Sequence, residues 1–198
     1  MSEYTRHGWM AIDGRQTGDR TVSEQMLGLE DALEAAKGKT VLDLGCAEGL
    51  IGREFIRAGA AHVTGIEMLD DHLKMARAEC SGLPMTFICS EIKEWILDHP
   101  DPDEFDIVLN LGIAHKVHSP GWVMEFAAKS ARQMMVFRGP GKDDLLWDGW
   151  LRSKFGINPT HEKVPCHVPT VMAEQGFIEG KTVPSCRGER VQYWHRRK

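Results

Sequence analysis

From Thr40 onward the chain alternates short, almost continuously apolar runs with longer stretches whose apolar residues recur every three or four positions. The first pattern predicts strands at 40–44, 62–67, 85–89, 105–110 and 133–138, each buried on both faces because its polar residues do not alternate with apolar ones. The second predicts helices at 49–58, 70–80, 91–98 and 120–131. A further helix at 168–175 is expected to stop at Gly176, a residue suited to a left-handed end. Two β-like runs follow, at 177–185 and 190–197, joined by "CRGE" and close enough to pair as an antiparallel hairpin. Strands alternating with helices predict an α/β, Rossmann-like, doubly wound sheet, mostly parallel and seven-stranded with that hairpin at its C-terminal end.

Upstream of the first strand, "SEQMLGLEDALEAAKG" has helical spacing, a cap candidate in Ser23 and a stop at Gly38, which together predict one helix. Before it, "HGWMAIDGRQTGDRTV" reads as two short extended runs around Gly14 and Gly18. Such a flap has no core of its own and is expected to lie over the mouth of the sheet.

At 198 residues the chain suits one core, so a single domain over 1–198 is expected, with 1–20 as the flap and 140–164 as an insertion on the substrate side. No run approaches the ~18 apolar residues of a membrane span, and the N-terminal residues lack the apolar centre of a signal peptide. A cytoplasmic location without membrane attachment is the expectation. Five cysteines without a CxxC pair read as reduced thiols. A net charge of −5 argues against broad electrostatic binding to nucleic acid. The last twelve residues nevertheless hold five Lys or Arg against one Glu, so an RNA partner stays open. Nothing in the sequence sets an oligomeric state.

The chemistry concentrates in "VLDLGCAEGLIG", residues 41–52. A pyrophosphate-binding turn wants G-x-G-x-x-G, because its second glycine lets the backbone approach the phosphates at a helix N-terminus. Here Ala47 holds that place, and the glycines fall at Gly45, Gly49 and Gly52. This longer turn suits a cofactor with an amino acid and a nucleoside but no pyrophosphate, and Asp43 can bind an ammonium group directly or through water. S-adenosylmethionine is such a molecule, and the spacing disfavours a nicotinamide oxidoreductase.

These residues carry a resemblance. "VLDLGCAEG", "VTGIEML", "FICSEI" and "FDIVLNLGIAH", in that order, resemble the motifs of class I S-adenosylmethionine-dependent methyltransferases over about residues 40 to 139. The resemblance implies that Gly45, Cys46, Ala47 and Gly49 surround the methionine portion and ribose. It implies that Glu67 accepts from the ribose hydroxyls, a task for a group with acceptors only. Met68 would pack on adenine, Ser90 or Glu91 would meet its edge, and Asn110 would lie beside the sulfonium. Bland readings stand beside these: Met68 as core packing, Ser90 and Glu91 as the cap of the helix they precede. The family often has glycine where this chain has Ala47. A looser resemblance, through the flap and the loop after strand four, is to the family that carboxymethylates the wobble uridine of transfer RNA.

The resemblance implies methyl transfer, with S-adenosylhomocysteine as product. A small-molecule acceptor is preferred on charge and size, with RNA modification and a non-catalytic cofactor-binding subunit as alternatives. A hydroxyl acceptor wants a base near the working pH, and His115, a few residues beyond strand four, is the candidate. His118, Arg138 and Trp147 are candidates for the acceptor side, although the helical spacing of Trp147 and Trp150 fits ordinary packing slightly better than a pocket lining. The signature of amino methylation on bases is absent, since Leu111 and Gly112 follow Asn110. The histidine spacings match no zinc module, and no metal is expected.

Overall fold

The computed structural model describes residues 11–12, 15–16, 20–99, 105–114, 117, 120–140 and 168–198. Nine strands and seven α-helices lie among the described residues. Two-residue strands β1 (Ala11–Ile12) and β2 (Arg15–Gln16) pair antiparallel on either side of Gly14. Most of the expected flap and nearly all of the expected insertion at 140–164 lie outside the described residues.

The main elements are β3 (Thr40–Leu44), α3 (Leu50–Arg57), β4 (His62–Glu67), α4 (Asp70–Glu79), β5 (Met85–Cys89), α5 (Ile92–Asp98), β6 (Phe105–Leu111), α6 (Pro120–Ser130), β7 (Ala131–Pro140), α7 (Val168–Glu174), β8 (Phe177–Pro184) and β9 (Glu189–Arg196). The sheet runs β5-β4-β3-β6-β7-β9-β8, parallel from β5 to β7 and antiparallel at the two C-terminal strands. Strand order therefore reverses between β3 and β6, the place where doubly wound sheets open a crevice at their carboxyl ends.

The register sorts the core into two layers. Val41, Val63, Ile107, Leu109, Val136, Val191 and Tyr193 share one face, packed with Leu29, Ala32 and Phe55 of the preceding helices and α3. Leu42, Leu44, Ile66, Val108, Met135, Phe137 and Trp194 share the other, under α5, α6 and α7. Burying each such side chain contributes about 1.5–3 kcal/mol, which is why these strands tolerate so little polar alternation.

The expected single helix at 23–38 is instead two, α1 (Val22–Met26) and α2 (Glu30–Ala35). Its cap is Thr21, not Ser23: the Thr21 hydroxyl accepts from the Glu24 N–H, and the Glu24 carboxylate accepts from the Thr21 N–H. The break falls at Gly28, whose φ of +86° suits glycine. A Cβ there would stand 2.9 Å from the Pro184 carbonyl, and Tyr193 Oη donates to the Gly28 carbonyl at 2.5 Å. Packing against the C-terminal hairpin thus overrides local helical spacing. Strand β7 is also longer than expected, because its last residues pair with β9 through Gly139↔Arg190 and Pro140↔Glu189.

Among the described residues no helix is long and apolar enough to cross a membrane. The four described cysteines are free, with Cys46, Cys80 and Cys186 buried and Cys89 exposed.

Candidate active site

At the carboxyl end of β3 the chain turns back under its own sheet. Gly45 and Cys46 both donate to the Ile66 carbonyl, at 2.9 and 3.0 Å, which ties the turn to β4. Gly45, Ala47 and Gly49 all take left-handed backbone, with φ of 74°, 46° and 74°. Gly49 is the N-cap of α3, and a Cβ on Gly45 would stand 2.9 Å from Ile113 Cδ1. The loops after β3 and β6 therefore meet at the crevice. Ala47 takes its left-handed backbone despite carrying a side chain, a strained arrangement common in functional turns.

Glu67 ends β4 and is 9% exposed. Its Oε2 accepts from the Ala47 N–H at 3.1 Å and its Oε1 from the Leu69 N–H at 3.0 Å. Each oxygen keeps a second lone pair, so the carboxylate is held in place and still able to accept. Next to it Met68 is 53% exposed, an apolar side chain left in the open beside the crevice. Ser90 donates its N–H to the Glu67 carbonyl at 3.0 Å, which brings the ends of β4 and β5 together. The Ser90 hydroxyl donates to the Glu91 carbonyl, and the Glu91 carboxylate caps α5 by accepting from the Glu94 N–H at 3.2 Å.

Asp43 is buried, and its Oδ2 has no hydrogen-bond partner among the described residues. Burial raises its pKa to about 7, opposed by Arg138 and assisted by Glu67. A buried carboxylate with one oxygen unpartnered, beside a left-handed turn, suits a cationic ligand group, whose arrival would satisfy that oxygen and favour the charged form. Burial pushes the Cys46 thiol well above its usual pKa, so this cysteine is inert packing against Gly65.

Asn110 stands on the opposite face of the sheet from Asp43, since it pairs with Leu44 while Asp43 pairs with Leu109. It is fully buried, donates Nδ2 to Met124 Sδ at 3.1 Å, and leaves Oδ1 without a partner among the described residues. Arg138 shares the Asp43 face, where its guanidinium donates to the Gln25 carbonyl at 2.6 Å and to Gln25 Oε1 at 2.9 Å. Its Nε lies 3.7 Å from Glu189, which itself receives both terminal nitrogens of Arg20 at 3.0 Å. His115, His118 and Trp147 lie outside the described residues.

Sequence reasoning missed two groups here. One is the Arg20–Glu189–Arg138 network with Gln25. The other is a buried pair, Glu48 and His72, whose side chains approach to 3.9 Å beside the turn. Neither leaves a local pattern, because the partners come from separate elements.

A family model described as a methyltransferase domain matches residues 41–134. A ubiquinone biosynthesis O-methyltransferase of Neisseria meningitidis is 30% identical over 161 residues, covering 76% of this chain and 67% of that protein. One of Idiomarina loihiensis is 30% identical over 63% of this chain, which spans 51% of that relative. Among solved structures, magnesium protoporphyrin IX methyltransferase of Synechocystis with bound S-adenosylhomocysteine superposes with a TM-score of 0.63 at 16% identity, covering 91% of this chain and 90% of that one. An S-adenosylmethionine-dependent methyltransferase of Mesorhizobium loti gives 0.61 at 17% identity, covering 85% and 98%. With its sheet order, its left-handed turn after β3 and the carboxylate at the end of β4, the chain belongs to the class I S-adenosylmethionine-dependent methyltransferases.

Proposed function

We propose that this enzyme methylates a hydroxyl oxygen of a small-molecule acceptor. The observation that carries the reading is the meeting, at the crevice between β3 and β6, of an unpartnered buried Asp43 with a Glu67 that holds the turn and keeps lone pairs to spare. The ubiquinone O-methyltransferase relatives support an oxygen acceptor of small size. When bound, S-adenosylmethionine supplies a methyl group on a cationic sulfur, open to in-line displacement.

In this reading Asp43 receives the ammonium and Glu67 the ribose hydroxyls, with Gly45, Cys46, Ala47 and Gly49 lining the methionine and ribose side. Met68 covers one adenine face, and Ser90 and Glu91 border the adenine edge. Asn110 orients the reacting end from β6. His115, next along the chain beyond β6, takes the proton from the acceptor hydroxyl as the new bond forms. Positioning does most of the work, because holding nucleophile, methyl and sulfur in line removes much of the entropic barrier. An RNA acceptor has less support: Arg196, part of the C-terminal basic run, spends its donors on the Ala128, Ala131 and Gln175 carbonyls.

Calorimetric titration with S-adenosylmethionine, S-adenosylhomocysteine and NADH tests the cofactor half. The first two are expected to bind and the third not. For the acceptor half, His115→Ala is expected to leave S-adenosylhomocysteine affinity within a few-fold while slowing transfer to a hydroxyl roughly 10²–10⁴-fold. Transfer at the wild-type rate would remove His115 from the mechanism.

A further inference from the structure

Three consecutive residues of the turn after β3 each meet a different part of the chain that follows β4. Ala47 donates its N–H to Glu67. Glu48, wholly buried, is directed at His72 on α4, with its Oε1 3.9 Å from Nε2 of the imidazole. Gly49 packs on Ala76, one turn further along α4, where a Cβ on the glycine would stand 3.3 Å from the Ala76 Cβ. Leu69, the N-cap of α4, donates to the other oxygen of Glu67. Leu69, His72 and Ala76 are spaced i, i+3 and i+7, so one face of α4 lies along the turn.

On that face His72 stands out by its polarity. It shares the buried side of α4 with Leu73 and Ala76, is 6% exposed, and its Nδ1 has no hydrogen-bond partner among the described residues. An apolar residue would be less costly there unless the imidazole serves a group that needs it. The Glu48 carboxylate is such a group, since a buried carboxylate requires positive charge or N–H donors around it. At 3.9 Å the two attract from beyond hydrogen-bond range, a gap that a small shift of the turn would close.

The turn needs such a hold. Glu48 lies between two left-handed residues, Ala47 at a φ of 46° and Gly49 at 74°, and a side chain at the first of them strains the backbone. Resting on the reading in which this turn receives the cofactor, we propose that His72 is a positioning residue, which draws the Glu48 carboxylate onto α4 and so sets the shape of the turn before the cofactor arrives. It acts through Glu48 and touches neither cofactor nor acceptor. A turn already held in its binding shape spends less of the binding energy on ordering, so the effect of His72 falls on cofactor affinity. The rival account is that His72 only fills space beneath the turn.

The test titrates the full chain with S-adenosylhomocysteine by calorimetry and follows its unfolding in urea. His72→Leu, which fits the apolar side of α4, is expected to weaken binding roughly tenfold. His72→Gln, which keeps an N–H donor at the place of Nε2, should recover most of that loss. In a Glu48→Gln background, which has no carboxylate to hold, His72→Leu should change affinity by less than about twofold. Hydrogen exchange in the cofactor-free His72→Leu chain should be severalfold faster at residues 45–49 and unchanged in β6 and β7. Wild-type affinity in His72→Leu would overturn the proposal. So would an equal loss in His72→Gln, or a loss that persists in full in the Glu48→Gln background, since His72 would then be packing alone. Should His72→Leu not fold, Glu48→Gln against wild type carries the test, and unchanged affinity with unchanged exchange at residues 45–49 overturns the proposal. A wild-type chain that does not bind S-adenosylhomocysteine would instead overturn the cofactor reading on which the proposal rests.

Discussion

Ala47 donates its backbone N–H to the Glu67 carboxylate at 3.1 Å while its own backbone sits at a φ of 46°. One carboxylate thus holds the turn in its left-handed shape and, in the proposed reading, remains available to the cofactor. Glu67→Ala should remove both contributions. A loss of roughly ten- to a hundredfold in S-adenosylhomocysteine affinity is expected, the magnitude of one or two charge-assisted hydrogen bonds. Calorimetric titration alongside a denaturation curve separates lost binding from lost folding.

The same contact predicts the behaviour of Ala47. A left-handed residue with a Cβ costs about 1–2 kcal/mol, and glycine loses about 0.5–1 kcal/mol more chain entropy on folding. Ala47→Gly should therefore stabilise the chain by up to about 1 kcal/mol, read as a raised urea midpoint at unchanged slope. A lower midpoint would mean that the Ala47 methyl packs more usefully than its backbone strains.

Asp43 makes a prediction in pH. Its pKa is raised by burial to about 7, above its unfolded value near 4, so the folded chain binds the extra proton. Its contribution to stability is full below about pH 4 and is lost as pH rises through 7. Arg138 faces it and favours the charge, while Glu67 opposes it. In Asp43→Asn the pH 5–7 part of the stability profile should flatten. With Asp43 receiving the ammonium, as proposed, cofactor binding has the opposite slope, because the ammonium prefers the carboxylate: affinity should rise from pH 5.5 to 7.5, with proton release measurable in buffers of different ionisation enthalpy.

Arg138 is expected to act on stability first. Its guanidinium is buried, pinned to Gln25 on α1 and set beside Glu189 on β9. Removing one member of a buried charged network costs about 3–5 kcal/mol, since its partners lose their compensation. Arg138→Ala should unfold at markedly lower denaturant, and Arg138→Lys, a single point charge without the fork, should recover only part of the loss. If Arg138→Ala folds as stably as wild type and fails only in turnover, the residue belongs to the acceptor side.

What the sequence determined by itself was local. Strands β3, β4 and β5 begin and end where their runs predict; β3 and most of β4 are buried as expected, whereas β5, at the sheet edge, has no buried residue, because a strand's place in the sheet order is not written in its own run. The glycine spacing after β3 reported a turn shape, and Glu67 declared itself by closing the next strand. Tertiary structure decided everything that depends on residues distant in sequence. Gln25 meets Arg138 across 113 positions, and Gly28 breaks a helix only because Tyr193, 165 residues later, takes its carbonyl. Asn110 and Gln192 come to flank Phe137 only through the register of β6, β7 and β9, since pairing register is a property of the sheet and not of any one strand.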